Sequence, residues 1–236
     1  LTQTEGIPLT TPLISVQVPS YESVLFDLDG TLADTAPDLA AAANQLLISR
    51  GLSPKPLKLL RPMASMGARG LIKVTLGIEV DDPRFLSIRD EFLNNYEQAI
   101  HVHTELFQGI EALLDQLDHH RIPWGIVTNK QERFTHPLVK SMRLDQRTPA
   151  IVSGDTTAYP KPHPAPILLC AQMLKVDPSK SIYVGDDLRD IQAGHAAGMH
   201  TIAAAYGYCG EESPAHTWGA THLVQSPYEI EDILFK

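Results

Sequence analysis

Four stretches of the chain carry residue types that could do chemistry together. They are Phe26-Asp27-Leu28-Asp29-Gly30-Thr31, Thr128-Asn129, Lys161 within Tyr159-Pro160-Lys161-Pro162-His163-Pro164, and Gly185-Asp186-Asp187-Leu188-Arg189-Asp190. Brought to one place, they would combine several carboxylates, a hydroxyl and one ammonium. Two like charges about 4 Å apart repel by roughly 4 kcal/mol at an effective dielectric near 20, so a converged Asp27 and Asp186 need a compensating cation to stay ionised together. Carboxylate oxygens with no His or Cys among them select Mg²⁺ over zinc or copper, and Mg²⁺ keeps waters and a substrate phosphate in its shell. The ion and Lys161 turn an acidic cluster into an anion site, and the guest this predicts is a phosphate group.

Each residue taken singly has a plainer reading. A strand-end Asp near Gly is a turn residue, Thr128 can cap the helix after it, and a lone Lys161 is a solvated charge. The joint pattern outweighs these readings. For Asp187, just before a helix that starts near Leu188, the N-cap reading and a site role both stay open.

The elements that must position these residues are marked by short apolar runs. Residues 23–27 read as a buried strand running into a tight turn at Asp29-Gly30-Thr31. A helix follows, with Thr35-x-x-Asp38 as a capping-box-like start, Leu39, Ala42, Ala43, Leu46 and Leu47 at helical spacing, and Gly51 placed to close it. From there to about residue 105 the pattern is helical only. It then alternates, with strands predicted at 124–128, 150–153, 181–185 and 200–204 and helices beginning near Gly109, Gln131, Pro164 and Leu188, which predicts a parallel sheet with crossover helices. In such sheets ligands bind beyond the carboxyl ends of the strands, where the four stretches fall. The expected fold class is α/β, a parallel-sheet core at 21–34 and 106–236 interrupted by a helical insert at 35–105. Residues 1–20, rich in Thr, Pro and Ser, form an extension with no assigned function.

Taken in order, the four stretches resemble the motifs of the haloacid dehalogenase superfamily, which implies a Rossmann-like core with the insert as a cap domain. The resemblance makes Asp27 the nucleophile that forms an aspartyl-phosphate and Asp29 the general acid and base. It makes Thr128 and Lys161 the holders of the phosphoryl group, and Asp27, the Asp29 backbone carbonyl and Asp186 the ligands of Mg²⁺. Asp190 and Asp187 would orient Lys161 or a metal-bound water, with Thr31 and Asn129 as further substrate contacts. The chemistry agrees: a carboxylate nucleophile splits ester hydrolysis into two displacements, and a second carboxyl two residues on can protonate the leaving oxygen and then deprotonate water. A retained Asp29 favours phosphoryl transfer over carbon–halogen cleavage.

The insert is similar to the caps of the phosphoglycolate-phosphatase-like and β-phosphoglucomutase-like branches. Its segment Ser65-Met66-Gly67-Ala68-Arg69-Gly70 resembles the cap loop that faces the core, which would let Arg69 pair with a substrate carboxylate; residues 34–35 and 106–109 would be the hinges. Residues 124–130, 161–166, 185–191, 205–208 and 216–220 are similar to the N-acetylmuramic acid 6-phosphate phosphatases. Gln131, where proline is common, and Tyr159-Pro160, where Ser or Gly is more usual, depart from the pattern.

Composition excludes other classes. A formal charge of −9 repels a phosphate backbone, so nucleic acid is not an expected partner. No apolar run reaches the roughly 18 residues of a membrane span, and the first basic residue is Arg50, so no secretory or transit signal is read and the expected location is cytoplasmic. Cys170 and Cys209 have no CxxC spacing and are expected as buried small apolar residues. His101-x-His103 and His119-His120 lack partner carboxylates at metal spacing. The expected activity is a Mg²⁺-dependent phosphomonoesterase acting on a small carboxylated or sugar phosphate, either N-acetylmuramic acid 6-phosphate or 2-phosphoglycolate. The alternatives are a phosphoryl-transferring mutase of the β-phosphoglucomutase type and a non-catalytic binding module on the same fold. The sequence leaves the oligomeric state open.

Overall fold

The computed structural model describes residues 21–209 and 213–235. The N-terminal extension, residues 1–20, lies outside them. Strand β1 (Ser23–Phe26) leads through a turn to the two-residue strand β2 (Ala33–Asp34). The insert then runs through helices α1 (Ala36–Ile48), α2 (Leu57–Leu60), a 3₁₀ turn (Arg61–Met66), α3 (Gly67–Leu76) and α4 (Phe85–Gln98) before β3 (Glu105–Leu106). The remainder alternates: α5 (Ile110–His119), β4 (Trp124–Val127), α6 (Glu132–Ser141), β5 (Ile151–Val152), α7 (Ala165–Leu174), β6 (Ser181–Gly185), α8 (Leu188–Ala196), β7 (His200–Ala204), β8 (His222–Val224) and α9 (Pro227–Phe235).

Six strands form one parallel sheet in the order β5-β4-β1-β6-β7-β8. β1 lies between β4 and β6, so the chain winds away from it in both directions, and the sheet's topological switch point is at the end of β1. Both faces are covered, which is why β1 reads as a continuous apolar run rather than an alternating one. Val24 and Phe26 pack with Ile126 against α5 and α9, while Leu25 packs with Val127 and Tyr183 against α7 and α8. No helix among the described residues is long and apolar enough to cross a membrane.

The insert leaves and rejoins the core through an antiparallel ribbon, Ala33 opposite Leu106 and Asp34 opposite Glu105. Its own core gathers Leu39, Leu46, Leu71, Ile72, Phe92 and Tyr96, with Phe134 and Tyr208 contributed from outside it. Two local expectations fail here. Thr35 makes no capping bond to α1; its hydroxyl donates instead to Asp29 Oδ1 at 2.6 Å. Asp38 turns away from the helix start and accepts from the backbone amides of Val102, His103 and Thr104 and from the Thr104 hydroxyl. Cys170 is buried as expected, but Cys209 is only partly buried.

Burial alone would raise the Asp38 carboxyl, but these hydrogen bonds outweigh it and hold the group below the usual carboxylate range. A depressed carboxylate adds stability that is present above its unfolded value of about 3.9 and lost as pH falls through the lower folded value. Asp38→Asn should therefore cost about 1–3 kcal/mol at neutral pH. Urea midpoints should show the gap from wild type narrowing under acid conditions, and an equal gap at both pH values would contradict the charge argument.

Candidate active site

The loop after β1 is a compact turn in which Leu28 O accepts from the amides of Leu32 and Ala33, and Gly30 N donates to Ala33 O. It presents Asp27 and Asp29 from one short segment. Gly30 has φ +85°, and a Cβ there would run into the Asp186 carboxylate, so a residue with a side chain is excluded on both counts. Register places Asp27, Thr128 and Asp186 just beyond the ends of three adjacent strands, β1, β4 and β6, and such strands lie about 4.8 Å apart.

Lys161 arrives from the loop after β5 and is 3% exposed. Its Nζ lies 2.7 Å from Asp27 Oδ1 and 2.7 Å from Asp190 Oδ1, with Val127 O and the Tyr183 hydroxyl each at 2.8 Å. Desolvation works against the ammonium, but Asp190 and Asp27 outweigh it and raise its proton affinity. The backbone beside it is fixed by Asn129, whose Nδ2 donates to Lys161 O and whose Oδ1 accepts from Lys161 N, both at 2.9 Å. Asn129, expected as a substrate contact, thus spends its amide on the Lys161 loop.

Asp186 is 1% exposed and has donors but, among the described residues, no cation paired with it. Thr31 Oγ1 donates at 3.1 Å, Tyr208 N at 2.8 Å and Ser65 Oγ at 3.5 Å. Thr31, fully buried, turns its hydroxyl to this aspartate instead of an open substrate position. Burial pushes the proton affinity of Asp186 well up, with Asp27 and Asp190 adding repulsion. Burial also raises Asp27, which Lys161 partly offsets. Asp27, Asp186 and Asp190 each offer an oxygen within 4.8 Å of the others. An excess of buried carboxylate over cation is the donor chemistry that a hard divalent ion suits, so these residues fit Mg²⁺.

The remaining candidates divide. Thr128, 2% exposed, accepts from Lys130 N at 3.1 Å, and the helix that follows begins after Gln131, whose side chain makes no capping bond. Asp187 does cap α8: its side chain accepts from Arg189 N, and Asp187 N in turn donates to Asp190 Oδ2. Asp187 also pairs with Arg189, which donates to Ser65 O and so ties the insert to the core. Arg69 is exposed and borders an outer cavity with Met66, Asp187 and Arg189. It does not line the cavity that holds Asp27 and Lys161.

That inner cavity holds about 50 Å³ and is lined by Asp27, Asp29, Thr128, Lys161 and Asp190 among others. At about 10–15 Å³ per water it admits a group the size of a phosphoryl. Lys130 was given no role from the sequence, although it directly follows Thr128-Asn129. Its buried Nζ pairs with Asp29 Oδ1 at 2.8 Å, the oxygen that also accepts from Thr35.

A profile of the haloacid dehalogenase-like hydrolases matches residues 24–204. The chain is 39% identical to an N-acetylmuramic acid 6-phosphate phosphatase of Pseudomonas aeruginosa, over 90% of this chain and 94% of that one. It is 42% identical to a phosphoglycolate phosphatase of Xylella fastidiosa, over 87% and 90%. Among solved structures, that of a predicted phosphoglycolate phosphatase from Haemophilus somnus superposes with a TM-score of 0.79 at 24% identity, covering 91% of this chain and 98% of the other. CbbY of Rhodobacter sphaeroides in complex with phosphate gives 0.68 at 22%, over 89% and 96%; both structures speak to the fold. The chain belongs to the haloacid dehalogenase-like hydrolase family, on the side of its phosphoric monoester hydrolases.

Proposed function

We propose that the protein is a Mg²⁺-dependent phosphomonoesterase that works through an aspartyl-phosphate on a small carboxylated or sugar phosphate. The observation that carries this reading is the meeting of Asp27, Thr128 and Lys161 around a cavity of phosphoryl size at the switch point of the sheet, with a carboxylate oxygen of Asp186 within 4.8 Å of one on Asp27. With Oδ1 of Asp27 engaged by Lys161, Oδ2 attacks phosphorus while the bond from phosphorus to the leaving oxygen breaks. Asp29 gives that oxygen its proton. In the second displacement Asp29 takes a proton from water, the water oxygen bonds to phosphorus, and the Asp27–phosphorus bond breaks to release inorganic phosphate. Lys161 and the Thr128 hydroxyl hold the equatorial oxygens in both displacements, and Asp190 fixes the Lys161 ammonium.

Asp27, Asp186 and the Asp29 carbonyl would hold the Mg²⁺, which supplies charge neutralisation for the phosphoryl oxygens. The insert, residues 35–105, serves as the cap over this site, hinged at the β2–β3 ribbon. The two curated relatives named above act on different phosphomonoesters, and both are candidate substrates here.

Phosphate release should be assayed from N-acetylmuramic acid 6-phosphate, 2-phosphoglycolate and p-nitrophenyl phosphate. Chelation with EDTA should abolish turnover and Mg²⁺, without zinc, should restore it; the melting temperature should rise on adding Mg²⁺ as the buried carboxylates gain their cation. Full activity after exhaustive chelation would refute the metal assignment, and no release from any substrate with Mg²⁺ would refute the phosphatase reading.

A further inference from the structure

Asp29 also borders a second cavity, of about 480 Å³, between α1, α3 and α4 of the insert and the start of α6. Leu39, Phe92, Leu93 and Phe134 give it apolar walls. Two polar groups lie buried in its lining. Lys130, with a side chain 8% exposed, gives one hydrogen bond to Asp29 and stands 4.7 Å from the centre of the Tyr96 ring. Tyr96 is 1% exposed, and its hydroxyl has no partner at full hydrogen-bond geometry among the described residues, the Lys130 ammonium being its charged neighbour.

A buried hydroxyl without a partner is costly, and an ammonium carries three hydrogens of which Asp29 takes one. A single ligand oxygen that accepts from both groups satisfies both, and the positive charge favours an anionic one. The other cations at this cavity are more exposed and already paired, Arg89 with Asp90 and Arg133 with Glu97. The volume matters as well. Pockets of 300–1,000 Å³ hold molecules well beyond a two-carbon acid, and the apolar walls suit the C–H faces of a ring.

Resting on the phosphatase reading above, we infer that Lys130 and Tyr96 are the specificity determinants that receive a carboxylate carried by a leaving alcohol of sugar size. The sequence resemblance put that task on Arg69, which lies outside this cavity.

The test compares Tyr96→Phe with wild type on three substrates: N-acetylmuramic acid 6-phosphate, N-acetylglucosamine 6-phosphate, which lacks the carboxylate, and p-nitrophenyl phosphate. The variant keeps the ring that packs and removes only the hydroxyl. Its kcat/KM on the carboxylated sugar phosphate should fall about 5- to 20-fold, mainly through KM, and at least about 3-fold more than on the other two. Lys130→Met should lose still more on the carboxylated substrate. Equal losses of Tyr96→Phe on all three, or no loss on any, would overturn the assignment. So would 2-phosphoglycolate being the better substrate of the wild-type enzyme. Calorimetric binding of free N-acetylmuramic acid separates this inference from the catalytic reading: binding that weakens in Tyr96→Phe supports it even in a protein that releases no phosphate, and no binding to wild type overturns it.

Discussion

Asp27→Asn should lower phosphate release by at least about 10³-fold, in the manner of enzymes that lose their nucleophile, while leaving the melting temperature unchanged or slightly higher. The amide is nearly isosteric and a poor nucleophile. Its oxygen can still accept from Lys161, whose second carboxylate partner, Asp190, remains at 2.7 Å. A buried carboxylate whose proton affinity is raised by desolvation opposes folding at neutral pH, so removing its charge does not weaken the fold. Release above about 1% of wild type in a contamination-controlled preparation would exclude Asp27 as the attacking group.

Lys161→Met should have the largest effect on stability. It strands Asp27 and Asp190 as buried charges without their cation, a situation that costs about 3–5 kcal/mol. For a chain of this size that lowers the melting temperature by roughly 6–20 °C, and turnover should be lost with it. The lysine's raised proton affinity fixes the sign with pH. Its own contribution is fully present below the unfolded value of about 10.4 and fades only as pH rises through the folded one, whereas Asp27, already raised by burial, rises further without the ammonium and is protonated in acid, so the deficit should grow from pH 6 to pH 9. A Lys161→Met protein that melts with wild type would show that the pair contributes no stability.

The strand ends were legible in the sequence because a buried parallel strand is a short apolar run, and chemistry in such sheets gathers at its carboxyl end. Asp27, Thr128, Lys161 and Asp186 were found that way, and the structure brings them together. Apolar runs do not state which strands are neighbours, however, so the order that puts β1 between β4 and β6 had no local signal. β8, three residues with two of them polar or exposed, was too short to register, and α9 was missed with it. Thr35 and Asp38 spelled a helix cap, yet distant partners took both side chains; a local motif cannot compete with a buried donor that the chain delivers from elsewhere. Tyr96 stands at helical spacing from Phe85, Ile88 and Phe92. That spacing locates the face correctly but says nothing of the hydroxyl at its end. Arg69 was placed by its loop, and only the structure shows that Gly67 and Ala68, not the arginine, reach the larger cavity beside Asp29.

The ribbon of β2 and β3 lets the chain depart from the core and return to it at facing residues, a separation of about 5 Å. The sheet itself requires of what lies between those two points only that its ends meet there, although Phe134, Tyr208 and Arg189 of the core also pack against it or bond to it. Closing a longer excursion costs about 0.6 kcal/mol per doubling of its length, so lengthening, shortening or wholesale replacement of the intervening helices leaves the strand ends in register. Under the proposed function, in which the insert caps the site and the strand ends handle the phosphoryl group, variation among descendants of such a gene can accumulate in the cap alone, and residues 33–34 and 105–106 are the natural crossover points for trading one selectivity for another.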